Sequence, residues 1–431
     1  MEPGMDHGRR AESEVARLCG DLFLKDFVLG SPKYRTPSGQ LREAADALLP
    51  YGDILIAMQV KTRTIQGDTL TNNDPELRRV LRRVESAAKQ VKTVKRALDA
   101  RALEEGVTLR GVQIPLASDP YKSILGIVVI DVFNAGGKSI VDQLEIHSGL
   151  IEVRGIPVHV FRACDFRTIA REQDTIPDLL NYLTTRQELL GGDRRVPLVA
   201  ELDLFGLFKT RYPLIQECLS GNTEVLLVEP GLWEKVHRDF EDMWTERDER
   251  MIPSYLVDKT IEEVHTCIGN NPTSEYPPDV LQETRAGAGP SSPVEYWEIL
   301  QRLGRLSRVE RAQFGAKMYE KAHAADTKPF AFTLIYRFPD VGPIVYLCSN
   351  KPRHERAKLL QLLMKCACAY MDTAHAVGIA TQSFSSEERS HDFAVIQGVS
   401  FPDLEEAKRV CQQFFGAPRG TSYDEWGKNY A

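Results

Sequence analysis

No run of about 18 consecutive apolar residues occurs in the 431-residue chain, so a helical membrane span is not expected. Cysteine is sparse: the eight thiols are scattered and no two stand in CxxC spacing. That excludes a zinc site built on paired thiols and points to buried free thiols in a reducing compartment. The first ten residues lack the apolar core of a secretory leader, so a cytoplasmic location is expected. No internal repeat is found, which excludes solenoid architectures. A phosphate loop is lacking too. Ala135-Gly136-Gly137-Lys138-Ser139 follows an apolar strand, but Val132 stands where the first glycine is required, and a hairpin turn is the better reading. His265 and Cys267 have no companions for a zinc site, and Cys366 and Cys368 read as core thiols.

An excess of positive charge is also missing. The net charge is −7, which taken alone argues against a nucleic-acid partner. Its distribution argues differently. Residues 1–110 hold 19 Lys and Arg against 16 Asp and Glu, whereas 111–431 hold 35 against 45. A polyanion is expected to meet the N-terminal part.

Periodicity sets out the elements of that part. Residues 11–23 form an amphipathic helix with Val15, Leu18, Cys19, Leu22 and Phe23 on one stripe. Residues 31–39 are turn-rich and read as a loop, where Tyr34 and Arg35 could touch a strand backbone. Strands follow at 43–49 and 54–61, joined through 50–53 as a hairpin. A helix then runs over 75–101, with Leu77, Leu81, Val84, Ala88, Val91, Val94 and Leu98 at steps of three and four. Asp74 is its N-cap and Pro75 stands in its first turn. Strands at 124–133 and 156–161 and a helix at 175–190 complete an α/β region.

Charge stands on this hairpin where apolar residues would be expected. Asp46 lies inside the first strand. Gln59 and Lys61 alternate with Met58 and Val60 in the second, so a period of two aims both at one face. A carboxylate and an amide oxygen can hold Mg²⁺, which prefers oxygen donors. A neighbouring lysine can orient a water or stabilise negative charge developing on a phosphoryl group. Glu12 falls within the apolar stripe of the first helix, and a buried carboxylate needs a partner. Asp53 is a rival to Asp46, although Gly-Asp in a turn needs no chemistry to explain it. The helix at 75–101 carries Arg78, Arg79, Arg82, Arg83, Lys89, Lys92, Lys95 and Arg96 mostly off its apolar stripe. Such a face can track phosphates or simply be solvated.

The order Glu12, Asp46, Gln59-Val60-Lys61 and a long basic helix resembles the PD-(D/E)xK restriction-endonuclease-like superfamily, in its Mrr-like variant with Gln in the second acidic position. The motif covers residues 11–61, and the resemblance extends weakly to about residue 190. Ala45 replaces the proline of the family pattern, and Gln59 removes one negative charge. The resemblance implies a mixed sheet flanked by helices and hydrolysis of phosphodiester bonds, with DNA favoured and defence against foreign DNA as an analogy. It implies Mg²⁺ or Mn²⁺ bound by Asp46, Gln59 and Glu12, with Lys61 assisting attack. The expected organisation is a nuclease-like domain over 1–190, a mainly helical region over 191–270, a linker over 271–293 and an α+β domain over 294–431. A homo-oligomer, or a regulatory partner bound through the C-terminal part, is expected. Two alternatives stand beside the enzyme: a non-catalytic nucleic-acid-binding module on the same fold, and an interaction scaffold.

Overall fold

The computed structural model describes residues 27–65, 75–100, 102–103, 105–109, 111, 113–115, 121–134, 136, 138–141, 149–191, 200–221, 226–239, 241–269, 293–335, 342–386, 390–398, 405 and 408–409. The helix expected over 11–23, with Glu12, lies outside these residues, as does nearly all of the linker expected over 271–293. The chain divides into two units, Met1–His265 with Leu303–Ala312, and Thr266–Arg302 with Gln313–Ala431.

In the first unit, β1 (Leu29–Gly30) precedes a small hairpin of β2 (Lys33–Arg35) and β3 (Leu41–Glu43). The Ser, Pro and Gly signals of 31–39 therefore mark the surroundings of a turn within a hairpin, not a wholly irregular loop. The strand expected over 43–49 is two strands. The chain breaks at Ala44–Asp46 before β4 (Ala47–Tyr51), which pairs with β5 (Ile54–Thr64). Gly52 turns the hairpin at φ +56, a left-handed conformation glycine adopts without steric cost. Pro50 and Tyr51 belong to the strand, so the turn is tighter than the sequence suggests.

Helix α1 (Pro75–Asp99) buries Val80, Val84, Ala87, Ala88, Val91, Val94 and Leu98, close to the stripe read from the sequence. Leu81 instead is exposed. After the short pair β6 (Glu105–Val107) and β7 (Gln113–Pro115) come β8 (Ser123–Phe133), β9 (Gly149–Val153) and β10 (Ile156–Arg162). The main sheet has the order β1-β4-β5-β8-β10-β9. Its centre, β5-β8-β10, is parallel, and antiparallel pairs close both edges. Central strands covered on both faces read as continuous apolar runs, as ILIAM and ILGIVVI do.

Helices cover the two faces. A Cβ built on Gly126 of β8 would lie 3.0 Å from Val91 of α1 and 2.9 Å from Val158 of β10, so the missing side chain lets the helix approach. Gly126, Val128 and Ile130 share that face with their partners Ala57, Gln59 and Lys61. On the opposite face, His159 of β10 meets Arg186 of α3 (Ile176–Leu190), which follows α2 (Ala163–Gln173). Thr175 caps α3, its hydroxyl accepting the Asp178 N–H.

The helical region expected over 191–270 holds α4 (Glu201–Thr210), α5 (Tyr212–Leu219), α6 (Leu232–Asp239), α7 (Glu241–Met251) and α8 (Ser254–Gly269). Up to His265 it belongs to the same unit as the sheet. Leu189 of α3 shares one core with Leu204, Leu207, Ile215, Val228 and Leu232. Residues 303–312 return to this unit through Arg308. Its Nε donates to Asp174 Oδ1 (3.0 Å), its Nη1 to Asp258 Oδ2 (2.5 Å), and its backbone N–H to Asp178 Oδ2 (2.8 Å). Arg311 Nη1 donates to the other Asp258 oxygen at 2.8 Å.

The second unit is also α/β. It includes most of α9 (Pro293–Gly304) and α10 (Arg308–Ala324), then β11 (Ala331–Ile335), β12 (Ile344–Cys348), α11 (Arg353–Met371), β13 (Ala376–Thr381) and β14 (His391–Ile396). Its sheet has the order β11-β12-β13-β14, with β12 and β13 parallel across the α11 crossover. Leu360, Leu363, Met364, Ala367 and Cys368 of α11 pack on Val345, Leu347, Ala380 and Ala394 of the sheet.

Candidate active site

Asp46 occupies the break between β3 and β4, where backbone bonds hold it from both sides. Its N–H donates to the Met58 carbonyl (3.1 Å), and its carbonyl accepts from the Ser31 N–H (3.0 Å). The carboxylate turns toward β5, where Oδ2 accepts the Val60 N–H at 2.5 Å. Asp46 is therefore not a strand residue, as the sequence suggested. Its position beside Val60 comes from the break that frees its side chain to bond a neighbouring strand's backbone.

Lys61 Nζ stands 3.9 Å from the same Asp46 oxygen. It also donates to Gln59 Oε1 at 3.0 Å, and Gln59 Nε2 donates to the Ala44 carbonyl at 3.4 Å. These bonds orient the Gln59 amide, with its oxygen toward Lys61 and its nitrogen toward the break. Gln59 is only 4% exposed, whereas Lys61 and Asp46 retain partial access to solvent. Three of the four residues singled out from the sequence thus meet around one ammonium. Burial pushes the Asp46 carboxyl above the usual carboxylate range, and the nearby Glu43 charge adds to this. The Val60 hydrogen bond and the Lys61 charge act in the opposite direction without cancelling it.

Asp53 lies at the other end of β5, where its carboxylate faces Lys122 at 3.3 Å. Asp131 is buried but belongs to the opposite face of the sheet, since its partner Thr62 alternates with Lys61. It accepts from the Ser139 hydroxyl at 2.5 Å. The Asn134 N–H donates to the Lys138 carbonyl and the Lys138 N–H to Asn134 Oδ1, both at 2.9 Å. His265 hydrogen-bonds Thr108 in the core.

The start of α1 flanks the site. Arg63 shares the Lys61 face and donates twice to Glu76 Oε2, at 2.9 and 2.7 Å, while Arg79 bonds the other Glu76 oxygen. The Arg63 bonds and the Arg79 charge hold the Glu76 carboxyl below its ordinary range. Arg83 Nη1 donates to the Thr62 carbonyl at 2.8 Å. The Arg63–Glu76 link was missed in the sequence. Continuing the alternation Gln59, Lys61, Arg63 would have found the arginine. Arg78, Arg82, Lys89 and Arg96 are exposed, Lys92 is half-buried, and Lys95 pairs with Asp99 at 3.3 Å. The eight cations do lie off the buried stripe.

Among the described residues, no group of three or more His, Cys, Asp or Glu side chains could hold a metal ion. The oxygen donors at the site are Asp46 and Gln59, and both are turned toward Lys61. No family model matches the chain, and neither a curated protein nor a solved structure matches it.

Proposed function

We propose that the protein is a metal-dependent nuclease of restriction-endonuclease-like type, hydrolysing phosphodiester bonds with DNA favoured. The observation that supports this best is the convergence of Asp46, Gln59 and Lys61 beside the basic helix α1. The donor set suits Mg²⁺, or Mn²⁺ in its place. Such ions take hard oxygen ligands, and Mg²⁺ commonly keeps several waters while binding one or two carboxylates and a substrate phosphate. Asp46 and Gln59 would hold it, with Glu12 as a further carboxylate. When bound, the ion supplies charge to polarise the phosphoryl group and acidify water.

The chain's own groups do the rest. Gln59 holds the Lys61 ammonium in place through its oxygen. Lys61 presents a positive charge to the phosphoryl oxygens, where charge builds during attack. Asp46, bonded to the Val60 N–H, keeps one carboxylate oxygen fixed and balances Lys61. Exposed arginines of α1 neutralise flanking phosphates and fix the strand's register.

Cleavage of plasmid, single-stranded DNA and RNA in Mg²⁺ or Mn²⁺ tests this reading. Lys61→Ala and Asp46→Ala should each reduce cleavage at least about 100-fold, as loss of a charge stabilising the transition state does. Activity that survives in both variants would overturn the assignment. One observation favours a second reading, a non-catalytic binding module. Gln59 stands where a second carboxylate would strengthen metal binding, and its amide is already engaged by Ala44 and Lys61. That reading predicts salt-sensitive binding of nucleic acid with no cleavage in either metal.

A further inference from the structure

The basic residues of α1 are not equally compensated. Near the start of the helix, Glu76 takes up Arg63 and Arg79. Toward its end, Lys92 and Arg96 make no ion pair with a described acidic residue, and a third cation joins them from another element. Arg154 stands in the turn between β9 and β10, two strands against which α1 packs. Desolvation first, and then the charges of Arg154 and Arg96, depress the Lys92 pKa. The topology explains the meeting. α1 runs back along the sheet after β5, and Val91, the neighbour of Lys92, lies over Gly126 beside Val158, close to where β10 begins.

The Arg154 backbone is unusual. The β9–β10 hairpin closes on two residues, Arg154 at φ +54 and Gly155 at φ +78. Such a turn favours Asn-Gly or Gly-Gly. An arginine there is strained, and its side chain is exposed. Neither the fold nor the turn calls for a cation at this position.

The separation from the site follows from strand register. Lys61 is level with Ile130, and Ile130 with Arg162. From Arg162 back to Ile156 the strand covers about 20 Å at roughly 3.3 Å per residue. A duplex rising roughly 3.4 Å per base pair crosses that distance in about six pairs.

We propose that Arg154, Lys92 and Arg96 form a second phosphate contact about 20 Å from the Asp46–Gln59–Lys61 site, so that the substrate is a polynucleotide reaching both. The proposal rests on the nuclease reading and narrows it to long nucleic acid as against nucleotides or short oligonucleotides.

The test uses the full chain in EDTA, titrating a fluorescent 20-base-pair duplex over a range of salt, with cleavage of the same duplex in Mg²⁺ measured alongside. Arg154→Gly removes the side chain and installs a residue the turn favours, so folding is preserved. It should reduce the slope of log affinity against log salt by about 0.9, and adding Lys92→Ala and Arg96→Ala should reduce it by about 2 to 3. The triple variant should also lose the advantage of the 20-base-pair duplex over a five-base-pair one. An unchanged slope in the triple variant, with wild-type binding and cleavage intact, overturns the second contact and leaves the nuclease reading standing. A wild type that neither binds nor cleaves the duplex overturns both.

Discussion

Two ionic clusters on opposite faces of the same sheet are built very differently. On one face Arg186 and Glu201 are both essentially inaccessible and make two parallel bonds, Nε to Oε1 at 2.7 Å and Nη2 to Oε2 at 2.9 Å. Tyr182 donates to the same carboxylate at 2.5 Å, and Arg186 Nη1 reaches the Gly149 carbonyl and His159 Nδ1. On the other face Lys61 and Asp46 stand at 3.9 Å, partly open to solvent, with Asp46 above its usual pKa. In the first cluster the Arg186 and Glu201 charges are paired directly and the bonds join helices to the sheet. Among the described residues the second leaves its charges less closely paired, a state that suits the proposed role in engaging a metal and a phosphate. Perturbed carboxyls gather at functional sites for this reason, although structural networks shift pKa values too.

The contrast can be broken most forcefully at the closed cluster. Glu201→Gln leaves Arg186 buried without its counter-charge and should cost about 3–5 kcal/mol of unfolding free energy, whereas Lys61→Met should cost under about 1 kcal/mol. Chemical denaturation of both variants measures this, and equal losses would erase the distinction.

A smaller effect of opposite sign is expected at Asp46. Its folded pKa is raised from 3.8, so between that value and the raised one the folded state binds more protons than the unfolded state. Stability from this group is present at low pH and lost as pH rises through the folded pKa. Asp46→Asn should therefore raise stability at pH 7, by about 1 kcal/mol as stabilising changes commonly do, and on the nuclease reading it should abolish cleavage. Melting temperatures of the two proteins should converge as pH falls toward 4.

The smallest expected effect concerns His159. Burial and the Arg186 charge push its pKa well below 6.5. Arg186 can only donate, so Nδ1 accepts and the proton sits on Nε2, which finds no partner among the described residues. The unfolded chain takes up a proton as pH falls below 6.5 and the folded one does not, so stability declines on the acid side. His159→Gln keeps a neutral acceptor for Arg186 and should flatten the decline between pH 6.5 and 5 in thermal melts.

The site was more legible in the sequence than the fold around it. A period of two is a strong local signal, and it placed Gln59 and Lys61 on one face without knowledge of the sheet. Asp46 was found by residue type but misplaced within a strand, because the break at 44–46 depends on pairing with Ser31 and Met58. In the second unit α11 stops at Met371, where Asp372 takes a left-handed conformation at φ 53. Ala376–Thr381 is a short apolar strand buried along its whole length, so it offered no alternation to read, and β14 was missed with it. Arg154 was passed over because its neighbours Lys92 and Arg96 are remote in sequence.

Residues 303–312 carry a consequence for the order of events during synthesis. Asp174, Asp178 and Asp258 all emerge from the ribosome before Arg308 and Arg311, which bond them. Tyr51, on the hairpin that bears the site, likewise donates to the carbonyl of Arg305, about 250 residues later. A nascent chain short of residue 312 thus holds clustered carboxylates with their cations still to come. The first unit is begun early and completed late, and its maturation is timed by the part of the chain that follows it.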